Sequence, residues 1–168
     1  EDAPMERTIS GLTWGAFTNA GQICASMERV YVHESRYDEL IDGIVEEVES
    51  LRLGPGNEEV DVGPMAMEDQ RDIVEEQVDD ARKKGAKVLT GGRKPDRPGN
   101  FYEPTVLVDV QEDMKVIREE TFGPLLPISP VQSVDEAVER VNDSEYGLTA
   151  SIWTGDTDYG EELAHRIE

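Results

Sequence analysis

The chain has 168 residues and a mass of 18.7 kDa, enough to bury roughly two thirds of the surface its unfolded form exposes, and its single cysteine excludes an internal disulfide. With 38 acidic against 16 basic residues, the formal net charge of −22 repels nucleic acid and anionic membrane surfaces alike. A hydrophobic content of 37%, set out with clear periodicity, argues for a core rather than disorder, so the acidity is read as a halophilic, carboxylate-rich surface. The first residues, Glu1, Asp2 and Ala3, do not resemble a signal peptide, and the expectation is a cytoplasmic protein in a reducing compartment.

Met5, Ile9, Leu12, Ala16, Phe17 and Ala20 recur at spacings of three and four, predicting an amphipathic helix from Met5 to Gln22 that ends near Gly21. "RVYVH", Arg29 to His33, reads as a short buried strand. Ser35 with Asp38 suggests the cap of a second helix, whose apolar face is Tyr37, Leu40, Ile41, Ile44, Val45, Val48 and Leu51 and which "GPG" at Gly54 to Gly56 stops. A third helix is expected over Met67 to Lys84, with Ile73, Val74, Val78 and Ala81 inside and Gly85 closing it before the strand "AKVLTG".

Prolines 95 and 98 with Gly99 make Gly91 to Asn100 a loop, and "EPTVLVDV" follows as a strand. In "LLPISPV" the two prolines point to a strand near a sheet edge or end. A capping box at Ser133 and Glu136 starts a helix through Val141, "GLTASIWTG" reads as a strand, and Asp158 to Ile167 as the last helix. Strands alternating with helices predict one α/β unit over residues 1–168, a mainly parallel sheet with helices on both faces, without internal repeats. Both ends look cut rather than finished, so the unit is expected to be truncated.

Cys24 stands behind the first helix in "FTNAGQICASMERVYVH", ringed by small and polar residues. A lone cysteine is most often a small buried hydrophobe; against that, Gly21 allows a sharp turn, Ala25 and Ser26 leave room for a substrate, and backbone N–H groups at such a junction favour a thiolate. In "REETFGPLLP" a turn sets Glu120 beside Phe122, a pair suited to a nucleotide because the acid accepts from ribose hydroxyls and the ring packs on sugar or nicotinamide. The plainer alternative is a solvated acid and a phenylalanine in the core. His33 and His165 have no partner at metal spacing, so no metal site is expected, and the glycine pair in "LTGGRKPDRPGN" lacks the order of a phosphate cradle.

"FTNAGQIC" and "EETFGP" together resemble the cysteine and Glu-Glu-x-Phe-Gly-Pro motifs of the NAD(P)-dependent aldehyde dehydrogenase superfamily, and "VGPM", "YEPTVL" and "NDSEYGLTASIWTGD" extend the resemblance along the chain. It implies a catalytic-domain fold in which Cys24 is the catalytic thiol, attacking an aldehyde to give a thiohemiacetal and then a thioester. It also implies NAD or NADP as cofactor, Glu120 as the acid on the nicotinamide ribose and Phe122 as the aromatic beside it, with Asn19 and Gln22 shaping the cysteine loop. Arg29 is given thiolate support or a structural salt bridge with equal weight. A small-molecule aldehyde is the expected partner, with no nucleic acid or membrane, and the full-length protein is expected to be a homo-oligomer. The family's Glu-Leu-Gly-Gly base motif, its oxyanion-hole asparagine and its Rossmann-type cofactor domain have no counterpart in these residues, so the chain alone is expected to be inactive. Two alternatives stay open, a CoA-acylating relative and a non-catalytic module that keeps the fold.

Overall fold

Residues 1–168 are described by a computed structural model. Helix α1, Met5–Phe17, buries Leu12, Ala16 and Phe17 as the three-four spacing requires. It stops short of Gly21, because Asn19 and Ala20 adopt left-handed backbone angles and the chain passes into a 3-10 turn over Thr18–Gly21. Strand β1, Val30–His33, follows. The expected serine cap does not form: Ser35 lies in a separate 3-10 turn, Glu34–Arg36, where its N–H donates to the His33 ring, and helix α2, Tyr37–Ser50, starts beyond it. Leu40, Ile44 and Val48 carry the buried stripe of α2.

Helix α3, Glu68–Lys83, buries Val74, Gln77, Val78 and Ala81, whereas Ile73, expected inside, is 42% exposed. Position 73 lies one residue off the stripe, so inclusion of Val74 turns it outward, while the unexpected Gln77 goes in. Strands β2, Lys87–Thr90, and β3, Thr105–Val108, pair antiparallel, and β3 then pairs parallel with β4, Leu125–Val131. Sheet order is β1-β4-β3-β2, with β1 also parallel to β4. All four residues of β3 are buried, as are all of β4 except Pro130; since successive side chains point to opposite faces, both faces of the sheet are covered.

The placement of β4 corrects the reading of its prolines. It is an inner strand, and its two neighbours use different halves of it: β3 pairs with Leu125 to Pro127, β1 with Ile128 to Val131. Pro127 therefore closes one ladder and Pro130 lies next to the end of the other, where a missing donor disturbs little. Helix α4, Lys115–Arg118, precedes this strand, and helix α5, Val134–Asn142, follows it. At the start of α5, Ser133 Oγ accepts from the Glu136 N–H at 3.1 Å and the Glu136 carboxylate accepts from the Gln132 N–H at 2.8 Å, a capping box shifted by one residue. Helix α6, Thr157–Ala164, is capped by Asp156.

The expected strand over "GLTASIWTG" is absent. Residues 147–154 pair with no strand, and Leu148 is 68% exposed. They lie across a groove of about 460 Å³ from the open edge of β1; a strand exists only where a partner takes its N–H and C=O groups, and none is in reach. Asp2 anchors the end of this segment, its carboxylate accepting from Thr154 Oγ1 and from the N–H groups of Gly155 and Asp156, bonds that hold its pKa below the ordinary carboxylate value.

One cluster of 24 buried residues joins α1, α2, α3 and the sheet, each large side chain contributing about 1.5–3 kcal/mol by leaving water. Ion pairs such as Arg36–Glu39, Lys87–Asp109 and Arg118–Asp143 lie at the exposed surface and are individually weak. Salt weakens those pairs but also screens the mutual repulsion of a −22 charge, and the excess of carboxylates makes repulsion the larger effect. Thermal stability should accordingly rise between about 0.1 M and about 1 M KCl, as the screening length falls from about 10 to about 3 Å. A melting temperature that stays flat or drops across the series would refute this.

Candidate active site

Cys24 lies on a turn, Ile23 to Ser26, closed by the Ser26 N–H donating to the Ile23 carbonyl at 2.9 Å. The turn is braced on both sides. Before it, Asn19 Nδ2 donates to the Gln22 carbonyl at 3.1 Å, and Gln22 Nε2 donates back to the Asn19 carbonyl at 3.0 Å. Gln22 Oε1 also accepts from the Ala66 N–H at 2.8 Å, tying the turn to the Gly63-Pro64 segment. After it, Ser26 Oγ and the Met27 N–H both donate to the Gly15 carbonyl in the last turn of α1, at 3.2 Å each. Between these anchors the thiol is free and exposed. The helix end beside it is the carboxyl end of α1, which turns carbonyls rather than N–H groups towards the turn, so any backbone N–H near the thiol belongs to the turn itself.

Glu120 is exposed on the loop between α4 and β4, and Phe122 is half-buried on the same loop at φ +46°. That backbone angle is uncommon for a bulky residue and persists only where neighbours fix it. Here they do. Gln70 Nε2 donates to the Thr121 carbonyl at 2.8 Å, Gln77 Nε2 to the Glu120 carbonyl at 3.2 Å, and Thr121 Oγ1 donates to Gln77 Oε1 at 2.9 Å. From the opposite side the Glu28 carboxylate accepts from the N–H groups of Thr121, at 3.0 Å, and Phe122, at 2.9 Å. Burial pushes the Glu28 pKa up, opposed by those two N–H bonds, with the nearby charge of Glu120 adding to the rise.

The two motifs meet at a pair of glycines. A Cβ at Gly21, whose φ is +69°, would overlap the Gly123 carbonyl, and a Cβ at Gly123 would overlap Val74 of α3. Cys24, Ser26, Glu28, Glu119 and Glu120 consequently border one groove, the same that runs along β1; Phe122 stands outside its lining. Arg29 joins neither Cys24 nor a carboxylate: it donates to the Ile117 carbonyl at 3.3 Å and to Ser144 Oγ at 3.0 Å. No group of three His, Cys, Asp or Glu residues is placed to hold a metal ion, and no helix is long and apolar enough to cross a membrane. Glu28, Gln70 and Gln77 escaped the sequence reading because their partners are main-chain groups 43 to 94 residues away; the only available signal was a glutamine, Gln77, on the apolar stripe of α3.

This geometry defines an α/β protein that holds one thiol out on a braced turn, packed against a loop carrying an exposed carboxylate. The aldehyde dehydrogenase family profile matches residues 1–168, the whole chain, and the chain belongs to that family. It is 46% identical over 165 residues to a Mycobacterium ulcerans protein assigned by name to NADP(+) succinate-semialdehyde dehydrogenase, covering 97% of this chain and 32% of that protein. To the 3-sulfolactaldehyde dehydrogenase of Priestia aryabhattai it is 41% identical over 169 residues, covering 35% of that protein. The NAD+ complex of a Bacillus cereus aldehyde dehydrogenase superposes with a TM-score of 0.96 at 37% identity, over 99% of this chain and 34% of that one. The chain thus spans about a third of the length of the curated relatives it matches.

The glycine contact gives a stability test. Gly21→Ala combines a left-handed backbone with a main-chain overlap and should cost about 2–4 kcal/mol in urea unfolding. Gly56→Ala, at a position with open space around it, should stay within about 0.5 kcal/mol of the parent. Equal effects at the two sites would mean that the loops do not touch as described.

Proposed function

We propose that the protein bearing this chain oxidises an aldehyde to a carboxylic acid with NAD(P)+, using Cys24 as nucleophile. The observation that supports this reading most is the free, exposed thiol on a turn pinned at both ends and packed against the Glu120 loop. A nucleophile so fixed loses little orientational freedom when a carbonyl approaches. Its sulfur attacks the carbonyl carbon, forming a C–S bond as the C=O π bond opens and its oxygen takes up a proton equivalent to the one the thiol gave up, which leaves a thiohemiacetal on Cys24. NAD(P)+, when bound, supplies the acceptor for the hydride lost from that carbon. The thioester left on Cys24 is cleaved by water, releasing the acid and restoring the thiol; a reducing, cytoplasmic compartment suits a residue that must return to this state.

Fit to a dinucleotide rests on the donor set of the loop. An exposed carboxylate at Glu120, on a main chain clamped by Gln77, can accept from both hydroxyls of a ribose, and the adjoining ring of Phe122 offers an apolar surface to a sugar or nicotinamide. Glu28 is a poor candidate to activate water, because both its oxygens are engaged by N–H donors. Neither the general base nor the oxyanion-hole asparagine of the family resemblance has a counterpart in these residues, which supports the expectation that the chain alone does not turn over. Semialdehydes are the first substrates to assay, as the Mycobacterium ulcerans relative is named for one.

In the intact protein, Cys24→Ala should lower aldehyde oxidation by about 10⁴-fold or more. Glu120→Gln should raise the KM for NAD(P)+ by about tenfold and slow hydride transfer while leaving the aldehyde KM near its parent value. Steady-state kinetics with cofactor titration separates the two. Substantial turnover by the Cys24→Ala protein would refute the thiol mechanism, and detectable oxidation by the 168-residue chain alone would show that it carries its own base.

A further inference from the structure

We infer that Glu28 is a positioning residue that sets the Glu120 loop in register with the cysteine turn; this rests on the NAD(P)-dependent reading above. Glu28 follows Cys24 by four residues, and the stretch between them is tied at Ser26 and Met27 to the Gly15 carbonyl, so the carboxylate and the thiol share one rigid segment. From there Glu28 reaches across to the N–H groups of Thr121 and Phe122. The side chains of Gln70 and Gln77 hold the carbonyls of Thr121 and Glu120 from α3. Every one of these four main-chain groups is thus satisfied by a side chain, and beside the Gly21–Gly123 packing contact it is Glu28 that supplies the side-chain hydrogen bonds joining the loop to the segment bearing the nucleophile.

A carboxylate suits this position because two adjacent N–H groups converge on it and it offers two acceptor oxygens with no donor of its own. Its half-buried setting strengthens both bonds. The left-handed turn at Phe122 follows directly after the held N–H groups, so release of the clamp frees the residue whose backbone is least favourable. Glu28 itself does not touch the reacting atoms in this scheme. It acts through Glu120 and Phe122, and its loss should be felt on the cofactor side rather than at the thiol.

The test uses Glu28→Gln, which keeps the volume but replaces one acceptor by a donor facing an N–H group, and Glu28→Asp, which retains both oxygens on a shorter arm. Amide exchange of Thr121 and Phe122 should quicken by about tenfold or more in Glu28→Gln and by less in Glu28→Asp. In the intact protein the KM for NAD(P)+ should rise by about tenfold in Glu28→Gln, with partial recovery in Glu28→Asp, while the rate of Cys24 alkylation by iodoacetamide and the aldehyde KM hold steady. A general loss of folding would instead quicken amide exchange along the whole chain and raise the aldehyde KM as well, which overturns the inference. Unchanged amide exchange, or faster exchange with an unchanged cofactor KM, overturns the inference; so does a fall in thiol reactivity equal to the loss on the cofactor side. Failure of the underlying functional reading is distinguishable, since it would appear in the unsubstituted protein as no binding of NAD(P)+ at all, and the inference would fall with it.

Discussion

The approach of Gly21 to the Gly123 carbonyl is the constraint on which the site is built. It lets the cysteine turn and the Glu120 loop share a surface without a side chain between them, and it leaves no space for a Cβ on Gly21, while Val74 of α3 leaves none on Gly123. Such contact between two main chains is unfavourable unless their polar groups are absorbed elsewhere. The turn meets that demand with Asn19, Gln22 and Ser26, and the loop with Glu28, Gln70 and Gln77. Three successive left-handed residues, Asn19, Ala20 and Gly21, and a fourth at Phe122 are held by these bonds. At this site backbone strain and side-chain clamps therefore coincide, the bonds offsetting the cost of the left-handed residues.

Packing against α3 carries the constraint into the core. Gly123 lies on Val74, itself fully buried, and Gln77 one turn along the same helix enters the interior to reach the loop. A glutamine on an apolar stripe costs stability when its amide is unsatisfied, but here both ends of the amide are used, one by Thr121 Oγ1 and one by the Glu120 carbonyl. The exposed Ile73 and the buried Gln77 are thus two sides of one rotational setting of the helix, chosen by the loop beneath it rather than by hydrophobicity alone.

Local chemistry was legible in the sequence wherever local chemistry decides. Ser133 and Glu136 cap α5, the spacing of Leu40, Ile44 and Val48 marks the inner face of α2, and the cysteine falls on a turn before β1. Errors arose where the answer lies in a distant segment. Pro127 and Pro130 suggested a strand near a sheet edge or end, yet β4 is inner, and the prolines fall at or next to ladder ends because its neighbours are staggered along it, a fact no pattern within the seven residues records. Residues 147–154 have the composition of a strand but no partner to pair with. Glu28 was the hardest to read, since a glutamate before a strand is commonly solvated and its role depends on N–H groups 93 and 94 residues away.

The carboxylates of this chain consequently serve two different physical ends. Most lie at the surface, where they pair loosely with Lys and Arg or meet water, and their number matters more than their place. A smaller set, with Asp61, Asp80, Glu136 and Asp156 among them, accepts from main-chain N–H groups and fixes the path of the backbone, and two of these border the groove, Asp2 at its far end and Glu28 beside the thiol. Arg29 completes the contrast, because in a protein with 38 acidic residues its guanidinium is spent on a carbonyl and a hydroxyl that brace the groove wall. Net charge governs how the molecule meets its solvent, but the site depends on the few charged groups turned towards the backbone. Those contacts would survive neutralisation of the surface, so acidity and chemistry in this fold can change independently of each other.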